Sequence, residues 1–174
     1  MAYWFSIFAV IAVLTFYAAY LYSTARSSPS HLISCMEVNV RWSAWTCEQV
    51  LRHASFSKGE LNELNRSAGA RLPVSIADAQ KAEEMLVLFL AKGVDINAPD
   101  ERLKRWTALH AAAISGEPGE TALLLKLGAK IDIRDADGKT PLDLARLAQE
   151  KQPDNSRAAE TTRLLEKAQF KSGS

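Results

Sequence analysis

Thr107-Ala108-Leu109-His110-Ala111-Ala112-Ala113, set beside Thr140-Pro141-Leu142-Asp143-Leu144-Ala145, decides the fold of this 174-residue chain. The two stretches start 33 positions apart. Each begins with a threonine whose hydroxyl can accept a bond from an amide of the first helical turn. Pro141 suits that turn, where its missing N–H is no loss. Leu109, Ala112 and Ala113 give the helix a small apolar face, so a neighbouring helix can approach closely. A second period accompanies the first: Lys92-Gly93-Val94-Asp95-Ile96-Asn97 is echoed 35 positions later by Leu127-Gly128-Ala129-Lys130-Ile131-Asp132. Gly93 and Gly128 supply the left-handed residue that ends a helix. Leu123, Leu124 and Leu127 supply bulk on the helix before it. The mismatch between the two offsets places extra residues in the connection Asp100–Trp106, lengthened by Arg102–Arg105. Asp135-Ala136-Asp137-Gly138-Lys139 is the unlengthened form. A helix pair of this size cannot bury its apolar face alone, so successive units are expected to stack.

These residues resemble the ankyrin repeat family. The family pattern opens the first helix with Thr-Pro-Leu-His-x-Ala and closes the unit with Gly-Ala-Asp-Val-Asn. Residues 107–132 follow it closely, with Ala108 where proline is usual. Residues 135–168 match from Asp137 to Ala145 and then carry extra residues, Gln149–Arg157, before Leu164-Leu165. Residues 72–97 match in their second half, from Met85 to Asn97. The resemblance covers roughly 95 of 174 residues. It implies an all-α stack of about three units over 72–168, binding another protein rather than catalysing a reaction.

Outward from the repeats, Ser57 followed by Glu60 fits a capping box for one short helix, and Thr46 fits the cap of another running to about His53. Residues 45–71 are therefore expected as a helical N-terminal cap. Residues 23–44 read as a Ser-rich linker with Pro29, and 36–42 alternate as a short strand or extended segment would. Residues 169–174 are expected as a disordered tail.

Residues 3–22, YWFSIFAVIAVLTFYAAYLY, carry no charge, and the first charged side chain is Arg26. Twenty helical residues span about 30 Å, the hydrocarbon thickness of a bilayer. Tyr3 and Trp4 open the run; Tyr17, Tyr20 and Tyr22 close it, as interfacial aromatics do. One transmembrane anchor over 1–22 is expected. A cleaved signal ending near Ser23-Thr24-Ala25 and a lipobox at Leu32-Ile33-Ser34-Cys35 are the competing readings. Arg26 and Arg41 on the C-terminal side favour a cytoplasmic domain. Cys35 and Cys47 favour export, because a disulfide between them persists in an oxidising compartment; two buried thiols are the other reading. A single-pass inner-membrane protein with a periplasmic soluble domain is the expectation.

Hydrophobic residues make up 48% and charged residues 24%, with a net charge of +1. That balance excludes wholesale disorder and gives no reason to expect nucleic acid. The histidines are His31, His53 and His110. His110 is expected to bond loop backbone and has no plausible nucleophile beside it in sequence; Cys47 with His53 is a conceivable thiol–imidazole pair, against which stand the disulfide and buried-thiol readings. No spacing of His and Cys fits zinc, and no glycine-rich phosphate loop is present. No catalytic residue, metal or cofactor is expected.

The connection Glu101-Arg102-Leu103-Lys104-Arg105-Trp106 is the most unusual local feature: long, basic and ended by tryptophan. Arg and Trp are enriched at interface hot spots, although Trp106 packing as core is the alternative. The expected partner-binding surface comprises Arg102, Lys104, Arg105, Trp106, Ile114, Ser115, Glu117, Asp137 and Lys139. Anchor and array together resemble immunity proteins paired with toxic secreted effectors, including those that neutralise type VI phospholipases. A membrane-tethered adaptor or envelope stress factor is the alternative.

Overall fold

The computed structural model describes the backbone of residues 2–25, 27–37 and 41–172, and the side chains of 13–24, 27–37 and 42–171. The side chains of Tyr3 and Trp4 at the head of the apolar run, Arg26, the centre of the expected strand at 38–40, the Arg41 side chain and the tail residues 173–174 lie outside what is described. The chain divides into two compact units, Met1–Ser55 and Phe56–Ser174.

In the first unit, α1 (Ala2–Ala25), α2 (Pro29–Met36) and α3 (Arg41–His53) are helical. Among the described residues no helix is long and apolar enough to cross a membrane. The described side chains of α1 begin at Val13, so they represent only part of that 24-residue helix. The expected linker contains α2: Ser28 caps it, accepting from the His31 amide, and Pro29 occupies its first turn. Proline starts this helix rather than breaking a chain. The segment 36–42 is helical at both ends instead of extended. Thr46 lies inside α3, not at its start, and its hydroxyl donates to the Trp42 carbonyl at 2.8 Å. Leu32 and Ile33 of α2 and Cys47 and Leu51 of α3 are buried. A disulfide joins Cys35 to Cys47, with Cα atoms 6.1 Å apart.

The second unit starts with α4 (Lys58–Arg66), whose N-terminus carries the reciprocal Ser57–Glu60 capping box. The one-turn α5 (Arg71–Val74) and α6 (Ala79–Ala91) form a first helix pair. Next come α7 (Ala108–Ser115) with α8 (Pro118–Lys126), then α9 (Pro141–Lys151) with α10 (Ser156–Ser172). The expected cap over 45–71 is thus divided: α3 belongs to the first unit, where α2 and the disulfide hold it, and α4 to the second. The expected tail is helical through Ser172.

Thr107 and Thr140 cap α7 and α9 through their side chains, and Gly93 and Gly128 adopt φ of +96° and +92°. Ala108, Leu109, Ala111, Ala112 and Ala113 are all buried, which lets α7 pack against both α8 and α9. Phe89, Met85 and Leu86 of α6, Leu124 of α8 and Leu165 of α10 complete the core. Each such side chain contributes about 1.5–3 kcal/mol by leaving water. Phe56 closes the α4 end, edge-on to Phe89 with centroids 5.3 Å apart. Two asparagines join consecutive layers through backbone: the Asp95 amide donates to Asn65 Oδ1 and the Lys130 amide to Asn97 Oδ1, both at 2.8 Å.

Candidate functional site

The connections before α7 and α9 form two neighbouring fingers built on one plan. In the second, Asp135 Oδ1 accepts from the amides of Asp137 (2.9 Å) and Lys139 (2.8 Å), and the Asp135 amide donates to the Lys139 carbonyl at 2.9 Å. Gly138, at φ +75°, turns the chain. In the first, Asp100 Oδ1 accepts from the Arg102 amide at 2.8 Å, and the Asp100 amide donates to the Trp106 carbonyl at 2.7 Å. Between those anchors the first finger is two residues longer. Lys104 and Arg105 stand in the left-handed region, at φ +49° and +57°, where the second finger uses a glycine. A side chain there costs on the order of 1–2 kcal/mol per residue, so the lengthened finger has to be held from outside.

Three bonds to the second finger hold it. The Ala136 amide donates to the Lys104 carbonyl at 2.8 Å, the Lys104 ammonium to Asp137 Oδ2 at 2.6 Å, and the Trp106 indole N–H to Asp135 Oδ2 at 2.9 Å. Burial opposes ionisation of Asp135, yet the Lys139 amide, the indole and the Asp137 amide hold its carboxyl below the usual aspartate range. The bond to Asp137, reinforced by its charge, raises the Lys104 ammonium above its usual value. Arg102 pairs with Glu63 of α4, and Arg66 with Glu101 at 2.8 Å. Exposed pairs like these stabilise little, but they fix where the side chains lie.

His110 is fully buried. Its Nδ1 accepts from the Thr107 amide at 3.2 Å, and its Nε2–H donates to the Lys139 carbonyl at 3.1 Å. Burial keeps the ring below its usual pKa, against the pull of that carbonyl. The histidine is a neutral connector between α7 and the next finger.

The structure brings together Arg102, Lys104, Arg105, Trp106, Asp137 and Lys139 of the expected surface. Trp106 is half-buried and bonded, so it is part ledge and part core. Ile114 and Ser115 sit at the far end of α7, about 10 Å along the helix. Glu117 precedes α8, where it pairs with Arg157. It lines a separate groove of about 570 Å³ with Val74, Ile76, Ala82, Glu120 and Leu123. There Glu120 is pushed up by burial and then by Glu117. Two features escaped the sequence reading. Leu103 is 39% exposed on the finger. Asp135 is the hub of both fingers, a role whose signal was its place two residues ahead of Asp137-Gly138. Among the described residues, Arg105 has no acidic partner, and no group of His, Cys, Asp and Glu is placed to hold a metal.

Residues 75–154 match a family model described as ankyrin repeats in three copies. Over this stretch the chain is similar to an ankyrin-repeat array. Ankyrin repeats typically form protein-binding modules. Among curated proteins, the E3 ubiquitin-protein ligase Ufd4 of Drosophila melanogaster is 48% identical over 63 residues, 36% of this chain and 2% of that protein. NF-kappa-B inhibitor delta of Mus musculus is 31% identical over 105 residues, 56% of this chain and 32% of that protein. The chain therefore spans well under half of either relative. An ankyrin repeat domain of Acinetobacter baumannii AYE superposes with a TM-score of 0.49 at 25% identity, covering 86% of this chain and 63% of that one.

Proposed function

We propose that this protein captures another protein through its lengthened finger while α1 holds the array at a membrane, and that it acts as an immunity protein neutralising a toxic secreted effector such as a phospholipase. The observation that carries the binding surface is the finger itself. It presents Leu103 and Arg105 to solvent on a backbone fixed by Asp135 and Asp137. A preorganised loop with an apolar residue and a cation free of acidic partners among the described residues loses little entropy on binding. The tether is supported by the sequence of α1, which runs 24 residues without a charge, about 36 Å of helix. Anchoring raises the local concentration of the array where an effector would act. The inhibitory character is supported by the ankyrin relative named NF-kappa-B inhibitor delta. A periplasmic placement of the soluble part is supported by the cysteine pair, since a bond between Cys35 and Cys47 endures where thiols are oxidised.

The test is recovery of the partner by crosslinking the full chain in its native membrane, followed by mass spectrometry. One toxic secreted enzyme, inhibited when the protein is added and released by L103A/R105A at unchanged thermal stability, supports the reading. Recovery of resident envelope proteins alone, with no toxin, removes the immunity role and leaves an adaptor.

A further inference from the structure

A second surface lies away from the lengthened finger, on α8, α10 and the base of the connection that precedes α9. Between α8 and α10 runs an open groove of about 920 Å³, with Leu125, Ala129 and Leu164 among its lining residues. Its cations are Lys126, Lys130, Arg134, Lys167 and Lys171, and its single acidic side chain is Asp132. Two of these cations are already engaged. Lys126 pairs with Glu83 at 2.6 Å, and the Arg134 guanidinium donates to the Gly138 carbonyl at 2.7 Å. Lys130, Lys167 and Lys171 have no carboxylate partner among the described residues, nor has Arg163 just outside the groove. Arg163, Lys167 and Lys171 recur every four residues along one stripe of α10, and Phe170, 80% exposed, lies beside that stripe.

We propose that this groove is a docking site for an acidic, amphipathic segment of a partner protein. The segment would lay apolar side chains on the leucine floor and carboxylates against the lysines. Three features set the class of occupant. The floor is apolar and the volume is many times that of an inorganic anion. The α10 cations extend over about 12 Å, the reach of a chain rather than of a point charge. The surface is concave, whereas a lipid bilayer is met by a flat or convex face. The excess positive charge selects against basic segments as strongly as it favours acidic ones. The site depends on neither the finger nor the anchor.

The experiment uses the full-length protein in neutral phosphatidylcholine nanodiscs as bait for a displayed library of random twelve-residue peptides. Enriched peptides are then titrated against the wild type, K130E/K167E and L103A/R105A. The expected result is enrichment of sequences with net negative charge and interleaved Leu, Ile or Phe. Their affinity should fall with added salt, drop about tenfold or more in K130E/K167E and stay unchanged in L103A/R105A. Equal thermal unfolding of the three proteins excludes misfolding as the cause. Enrichment without charge bias, no enrichment, or equal binding by K130E/K167E overturns the proposal. So does a charge-reversal effect confined to capture of phosphatidylglycerol liposomes, which assigns the surface to lipid.

Discussion

The tie between Trp106 and Asp135 yields the most demanding prediction. In Asp135→Asn the amide keeps the carboxylate's shape. Its oxygen can still accept from the Asp137 and Lys139 amides, but its NH2 then faces the Trp106 indole N–H, donor against donor. Hydrogen bonds to a charged acceptor contribute about 1.5–3 kcal/mol and neutral ones about 0.5–1.5. Weakening two amide bonds and losing the indole bond therefore predicts about 2–3 kcal/mol of destabilisation, after allowing for water entering these exposed fingers. Trp106→Phe removes the indole N–H while keeping most of the ring, and should cost about 1–2 kcal/mol. The double variant should cost about 1 kcal/mol less than the sum of the two, because both single changes break the same bond. The assay is urea unfolding of the array followed by far-ultraviolet circular dichroism. Additivity within about 0.3 kcal/mol would show that the bond contributes nothing and that the finger is held otherwise. pH gives an independent check. Asp135 titrates lower in the folded chain, so its stabilisation is complete above the unfolded value near 3.8 and lost as pH falls through the folded one. Asp135→Asn should flatten that acid limb.

Three further outcomes test other parts of the chain. His110 is held below its usual pKa, so the stability from its neutral ring is complete above pH 6.5 and declines as pH drops toward the folded value; melting curves between pH 7.5 and 5 should fall more steeply for the wild type than for His110→Gln, and parallel curves would refute the role. Cys35 and Cys47 are separated by 12 positions, a loop whose closure is worth about 3 kcal/mol in the chain-entropy model. Cys47→Ser should therefore weaken the Met1–Ser55 unit under oxidising conditions and match the wild type in dithiothreitol. A Cβ at Gly69 would meet the Leu64 side chain at 2.8 Å and its carbonyl at 2.9 Å, whereas one at Gly119 meets nothing within 4 Å. Gly69→Ala should thus cost about 1–3 kcal/mol, and Gly119→Ala should be neutral or stabilise by up to about 1 kcal/mol, as read by thermal unfolding.

Sequence alone determined what depends on neighbours in the chain. The caps at Thr107, Thr140 and Ser57 act across three residues, the left-handed Gly93 and Gly128 act at their own positions, and the two extra finger residues follow from counting between repeats. These signals are local because helix termini are satisfied within one turn. Tertiary structure decided what depends on residues far apart in sequence. Trp106 meets Asp135 and Lys104 meets Asp137 across 29 and 33 positions, and no pattern in either finger announces its partner. Half-burial of Trp106 follows from that pairing, as does the exposure of Leu103 and Arg105 in its place. The same reason divides the residues once read as one cap. α3 and α4 carry similar helical signals, but Leu32, Ile33 and the Cys35–Cys47 bond draw α3 to α2, while Phe56 on Phe89 and Asn65 on the Asp95 amide draw α4 to the array. Helix formation is encoded along the chain; which surface a helix joins is settled by the apolar area and hydrogen bonds that only the folded neighbours supply.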